Sequence, residues 1–139
     1  MPDHPALPPA APLPAAAPGT TEQAFRDGLR ALFAGDPRGA VEPLDRACNV
    51  SSTSQDDICY WAAVASQRAG DRDAARRKLA EVAARWPRST HAGEANVALG
   101  WLLVQAGDRV SARRSFAAAA DDRIPKVRAE ALRGLAATQ

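Results

Sequence analysis

Two cysteines, two histidines and two pairs of adjacent aspartates are the residues of this 139-residue chain whose types allow chemistry, and their spacing decides which kind. Cys48 and Cys59 flank the polar stretch NVSSTSQDDI, which admits either a disulfide across a short loop or two small buried thiols. A bridge there would remove about 3 kcal/mol of loop entropy from the unfolded chain. Zinc needs several ligands at short spacing, whereas His4 lies in a Pro-rich stretch and His91 stands alone, so no metal or other cofactor is expected. Asp56–Asp57 and Asp121–Asp122 fall at expected helix boundaries, where acids answer the helix dipole rather than each other. The chain carries no Gly-x-Ser-x-Gly elbow and no phosphate loop, and Asn49-Val50-Ser51 is a glycosylation sequon of the kind that arises by chance. No constellation for catalysis is assembled, so the expected protein is not an enzyme.

The elements that position these residues are set by a repeat. Ala-Gly-Asp-x-x-x-Ala occurs at Ala34–Ala40, Ala69–Ala75 and Ala106–Ala112, with Gly35, Gly70 and Gly107 spaced by 35 and 37 residues. That is the period of a two-helix solenoid repeat. Nine residues past each Gly stands a large apolar residue (Leu44, Leu79, Phe116) and twelve past it a smaller one (Ala47, Val82, Ala119). Each Gly can take the left-handed conformation that ends one helix, and each Asp can accept from the free N–H groups that begin the next. The pattern predicts an all-α fold with helices over about Thr21–Ala34, Pro37–Cys48, Asp56–Ala69, Arg72–Trp86, Thr90–Ala106, Arg109–Asp121 and Pro125–Ala137. Those form three hairpins, in repeats of about 21–50, 56–88 and 90–122, closed by a capping helix at 125–137. Seven residues before each turn Gly lies a small residue (Gly28, Ala63, Gly100), expected to meet Ala40, Ala75 and Ala112 of the second helix in close contact. Stacking of these repeats brings the helix ends bearing Cys48 and Cys59 together, which makes the disulfide geometrically reasonable.

Composition bounds the rest. Residues 1–20 form a Pro- and Ala-rich stretch without apolar periodicity, expected to be an extended, disordered tether, which leaves 21–139 for the folded domain. The 18 basic and 16 acidic residues are spread along the helices for a net charge of +2, so Arg76–Lys78 and Arg113–Arg114 read as solvated faces, and no nucleic-acid partner is expected. No run of about 18 apolar residues exists to span a membrane. Met1 leads into the Pro-rich stretch with neither basic segment nor apolar core, so no signal peptide is expected in the sequence as written. A Pro/Ala tether before a compact domain often follows a cleaved signal or lipid anchor in bacterial envelope proteins, and an anchor upstream is one expectation for this chain. Arg makes up sixteen of the basic residues and Ala is abundant, pointing to a high-GC bacterial genome.

This arrangement resembles the tetratricopeptide repeat (TPR). The middle copy supplies Ala63, Gly70, Ala75, Leu79, Val82 and Pro87; the third supplies Leu99, Gly100, Gly107, Ala112, Phe116 and Ala119, with Pro125 displaced by one. The first copy is the weakest: it lacks the closing Pro and has Asp27 where a large apolar residue is usual. The helix A aromatic is replaced by Ala31 and Ser66 in the first two copies. More narrowly, Trp86–Phe116, with its Trp86-Pro87-x-Ser89 link and Ala-rich helix, is similar to repeats of periplasmic, outer-membrane-associated proteins of the YbgF/CpoB and BamD kind. The resemblance implies a right-handed TPR solenoid, and a scaffold of the bacterial cell envelope, periplasmic or outer-membrane-associated. A cytoplasmic location is the alternative, and an oxidised Cys48–Cys59 pair would favour the envelope.

In such a superhelix the first helix of each repeat lines the concave face. The equivalent rows are Phe25, Leu29 and Phe33; Tyr60, Val64 and Arg68; and Val97, Trp101 and Gln105. They form an apolar, aromatic strip with polar groups toward one end, which suits an extended peptide or amphipathic helix of another protein. Trp101 is the foremost candidate contact, although each aromatic is also readable as ordinary core. Phe25 and Phe33 sit in a repeat with no preceding neighbour, an end that invites a homodimer. The expected function is a non-enzymatic interaction scaffold; the alternative is a sensory or regulatory TPR module of a larger signalling or anti-sigma protein.

Overall fold

The computed structural model describes residues 20–139, so the tether reading of the N-terminal stretch lies outside the described residues. Seven helices follow one another: α1 (Thr21–Phe33), α2 (Pro37–Cys48), α3 (Gln55–Arg68), α4 (Arg72–Arg85), α5 (Ala92–Gln105), α6 (Arg109–Ala119) and α7 (Pro125–Ala137). Among the described residues there is no strand. Consecutive helices pack as antiparallel neighbours, and α1 also meets α3 while α5 meets α7, so the first helices of successive hairpins share one face.

The repeated residues build the joints. Gly35, Gly70 and Gly107 have φ of 85°, 87° and 84°, the left-handed region that a Cβ disfavours. One residue on, Asp36, Asp71 and Asp108 cap the next helix by accepting from the amides of Gly39, Ala74 and Ser111 at 3.0, 3.1 and 3.0 Å. The Ser111 amide holds the Asp108 carboxyl below the usual carboxylate range. Leu44, Leu79 and Phe116, Ala47, Val82 and Ala119, and Ala40, Ala75 and Ala112 are all fully buried, so the three equivalent triads are the core. What stands over Gly28 and Gly100 is the large residue of the second helix: a Cβ on either would collide with the side chain of Leu44 or Phe116. The nearest neighbours at these glycines are thus the large residues Leu44 and Phe116, which the sequence reading placed in the core but not over the glycines.

Two helix ends fall two residues short of expectation. α5 begins at Ala92 rather than Thr90, because the Ser89 hydroxyl accepts from the His91 amide at 3.1 Å and holds residues 88–91 in turns after Pro87. α6 stops at Ala119 because Asp122 turns the chain, its carboxylate accepting from the Ile124 amide at 2.9 Å just before Pro125 opens α7. Cys48 and Cys59 are joined by a disulfide, with Cα atoms 4.8 Å apart, tying the end of α2 to the second turn of α3. Between them Gln55 Nε2 donates to the Cys48 carbonyl at 2.9 Å, so the α2–α3 loop is anchored twice.

Candidate partner-binding surface

The first helices α1, α3 and α5 carry the nine residues expected on the concave face, and none of the nine is fully buried. Phe33 is 67% exposed, and Arg68 and Gln105 are exposed with it at the C-terminal ends of their helices. Phe25, Leu29, Tyr60, Val64, Val97 and Trp101 are half-buried. Phe25 and Val64 rest on the core of the first hairpin, Tyr60 on that of the second and Val97 on the Ala119–Val127–Ala131 cluster. Trp101 turns an edge to the buried Phe116 ring, with centroids 4.9 Å apart, so it is partly a core residue.

The structure groups these residues differently from the rows. Phe33 meets Trp61 edge-on at 5.6 Å, and Trp61 meets Tyr60 at 5.8 Å, so an aromatic chain crosses from α1 to α3. Trp61 is not among the expected residues; as the neighbour of Tyr60 in a helix with aromatic residues at two successive positions, it is open to recognition. Phe25 does not share a cavity with Tyr60 and Val97. It lines a separate hollow of about 330 Å³ with Thr21, Ile58 and the loop Val50–Ser54, because the long disulfide-anchored loop folds against the start of α1.

Tyr60 and Val97 do converge, in a cleft of about 270 Å³ that α7 completes. Its apolar lining is Val97, Ala98, Val127 and Ile124, and Glu94, Glu130 and Lys126 add charged groups to it. The Tyr60 hydroxyl donates to Glu94 Oε2 at 2.8 Å. Burial first, and then the Glu94 carboxylate, push the Tyr60 phenol well above its ordinary range, so it remains a donor. The Tyr60 ring stacks on His91 at 4.4 Å with planes 13° apart, and His91 Nε2 lies 2.8 Å from Asp57 Oδ1. Asp57 therefore reaches across the joint between hairpins, a role beyond the helix-dipole one expected of it.

Glu130 and Lys126 escape the sequence reading because the closing helix reads there as a cap alone, and Glu94 because it stands in the first turn of α5, before the row that starts at Val97. A signal is present: Glu22, Asp57 and Glu94 recur at intervals of 35 and 37 residues, the same as the turn glycines, and stand in the first turn of their helices. On the opposite side, α2 and α4 enclose a polar hollow in which Lys78 Nζ bridges Asp45 Oδ1 at 2.7 Å and Ser66 Oγ at 2.6 Å. Among the described residues no three His, Cys, Asp or Glu side chains gather into a metal-ligating set, and no helix is long and apolar enough to cross a membrane.

With this geometry the chain is similar to a solved structure described as the crystal structure of MamA, a TPR-containing protein. The match has a TM-score of 0.67 at 19% sequence identity and covers 88% of this chain and 78% of that one. The fold is an all-α TPR solenoid. No protein-family model matches the chain, and no curated protein does.

Proposed function

We propose that this chain is a non-enzymatic interaction module that holds a segment of another protein against the face formed by α1, α3, α5 and α7. The observation that carries this reading is the aromatic chain from exposed Phe33 through half-buried Trp61 to Tyr60, which lines the cleft with Val97. Side chains that stay partly solvated in the free domain can be covered by a partner without rebuilding the core, and aromatic anchors contribute most of the affinity in such interfaces. Phe25, Leu29, Phe33, Tyr60, Val64, Arg68, Val97, Trp101 and Gln105 are the residues proposed to contact or frame the partner, with Trp61 added to them.

The setting proposed for this module is a bacterial cell envelope, periplasmic or at the outer membrane. The Cys48–Cys59 disulfide supports an oxidising compartment. The Trp86-Pro87-x-Ser89 link supports kinship with envelope repeats of the YbgF/CpoB and BamD kind. The test is affinity capture from a native envelope extract with the intact chain, compared with Phe33→Ser and Trp101→Ala. A polypeptide retained by the parent and lost with Phe33→Ser, at unchanged helicity, is the expected result. Retention that is indifferent to both substitutions contradicts the reading.

A further inference from the structure

We propose that the cleft among α3, α5 and α7 seats the cationic head of one arginine or lysine side chain from the bound segment. The proposal rests on the reading of this face as a polypeptide-binding surface and names the chemistry of one of its positions. The apolar lining of Val97, Val127 and Ile124 suits the aliphatic stem of such a side chain, which buries its methylenes while its charged end stays near water. Glu94 supplies a carboxylate that the Tyr60 hydroxyl holds in place, and Glu130, paired with Arg133, lines the same cleft beside Lys126.

The carboxylates are arranged to receive a donor. Glu94 accepts from Tyr60 through Oε2, which fixes the group, and a carboxylate keeps further lone pairs for an incoming N–H. Tyr60 is in turn held by its stack on His91, and His91 by Asp57, so the acceptor is oriented before any ligand arrives. Glu130 pairs at 2.6 Å with Arg133, whose side chain is 70% exposed; a surface ion pair of that kind contributes little and exchanges readily. Among the described residues no ion pair joins Lys126 to Glu130 or Glu94, so Lys126 does not neutralise either carboxylate by direct contact. A segment presenting a carboxylate at this position would meet the Glu94 carboxylate and be disfavoured.

The experiment is an amide NMR titration of the whole chain with three acetylated, amidated pentapeptides that share flanking leucines and alanines and differ only at the centre: arginine, norleucine or glutamate. The expected result is that the arginine peptide shifts the amides of Tyr60, Glu94 and Val127 and binds about five-fold more tightly than the norleucine peptide, with glutamate weakest. That preference should vanish in Glu94→Gln/Glu130→Gln and shrink in about 0.5 M salt, where screening is short-ranged. Equal binding of arginine and norleucine, or a preference for glutamate, overturns the inference. So does a set of shifts confined to Phe33, Val64 and Trp101, which leaves the concave-face reading standing; shifts nowhere on this face contradict both. Should the double variant fail to fold, the salt series on the parent chain tests the same preference: an arginine advantage that persists undiminished in high salt overturns the inference.

Discussion

The ring of Phe116 in α6 lies against the backbone of Gly100 in α5, so closely that a Cβ at Gly100 would stand 2.5 Å from Cε1. Gly134 of α7 meets the same ring, and Phe116 is fully buried between the two backbones. One aromatic residue thus sets the spacing of the last three helices. Gly100→Ala should destabilise the domain by about 1–3 kcal/mol through overpacking, although alanine is the better helix former by about 1 kcal/mol. Urea unfolding checks this, and the cost should fall in a Phe116→Leu background, since contacting sites are not additive.

Much of this fold is legible in the sequence because the repeated residues are the ones with obligatory backbone or packing roles. Gly35, Gly70 and Gly107 need positive φ, the following aspartates cap, and Leu44, Leu79 and Phe116 fill the joints. The candidate surface is less legible. Its rows assume that equivalent residues share a neighbourhood, yet Phe25 faces the disulfide-anchored loop while Tyr60 and Val97 face α7. Side-chain pairing across a joint, such as Asp57 with His91, depends on rotamers and on helix spacing that periodicity does not encode.

Reducing the Cys48–Cys59 bridge frees a loop closed across a separation of 11 residues. The loss in stability should be about 2–3 kcal/mol, because the reduced unfolded chain regains loop entropy. Helicity at neutral pH should be unchanged, since the bridge closes the loop between α2 and α3 and supplies none of their backbone hydrogen bonds. Paired urea titrations with and without a phosphine reductant, read by far-ultraviolet circular dichroism, measure both.

Tyr60 is the only tyrosine in the chain, so its ionisation is directly readable by absorbance. Its folded pKa is raised above the unfolded value of about 10, chiefly by burial and next by the Glu94 carboxylate. The contribution to stability is therefore complete below about pH 10 and is lost as pH rises above it, because the unfolded state releases the proton first. The native phenolate band should appear only well above pH 10. Glu94→Gln should move it to lower pH, while Tyr60→Phe should remove the corresponding fall in stability.

Phe33 and Trp101 separate binding from folding. Phe33 is 67% exposed and Phe33→Ser should change stability by no more than about 0.5 kcal/mol. Trp101 is half-buried against Phe116, and Trp101→Ala should cost about 1–3 kcal/mol without unfolding the domain. Thermal unfolding of the two variants side by side distinguishes these costs, and equal large losses would place Phe33 in the core.

The central claim is that partners bind the face of α1, α3, α5 and α7. The most direct measurement is in-cell photocrosslinking with a benzophenone amino acid placed singly at Phe33, at Gln105, or at the exposed Arg77 of α4 on the opposite side. A discrete protein adduct is expected from Phe33 and Gln105 and none from Arg77. An adduct from Arg77 alone, or equal adducts from all three positions, would contradict that claim.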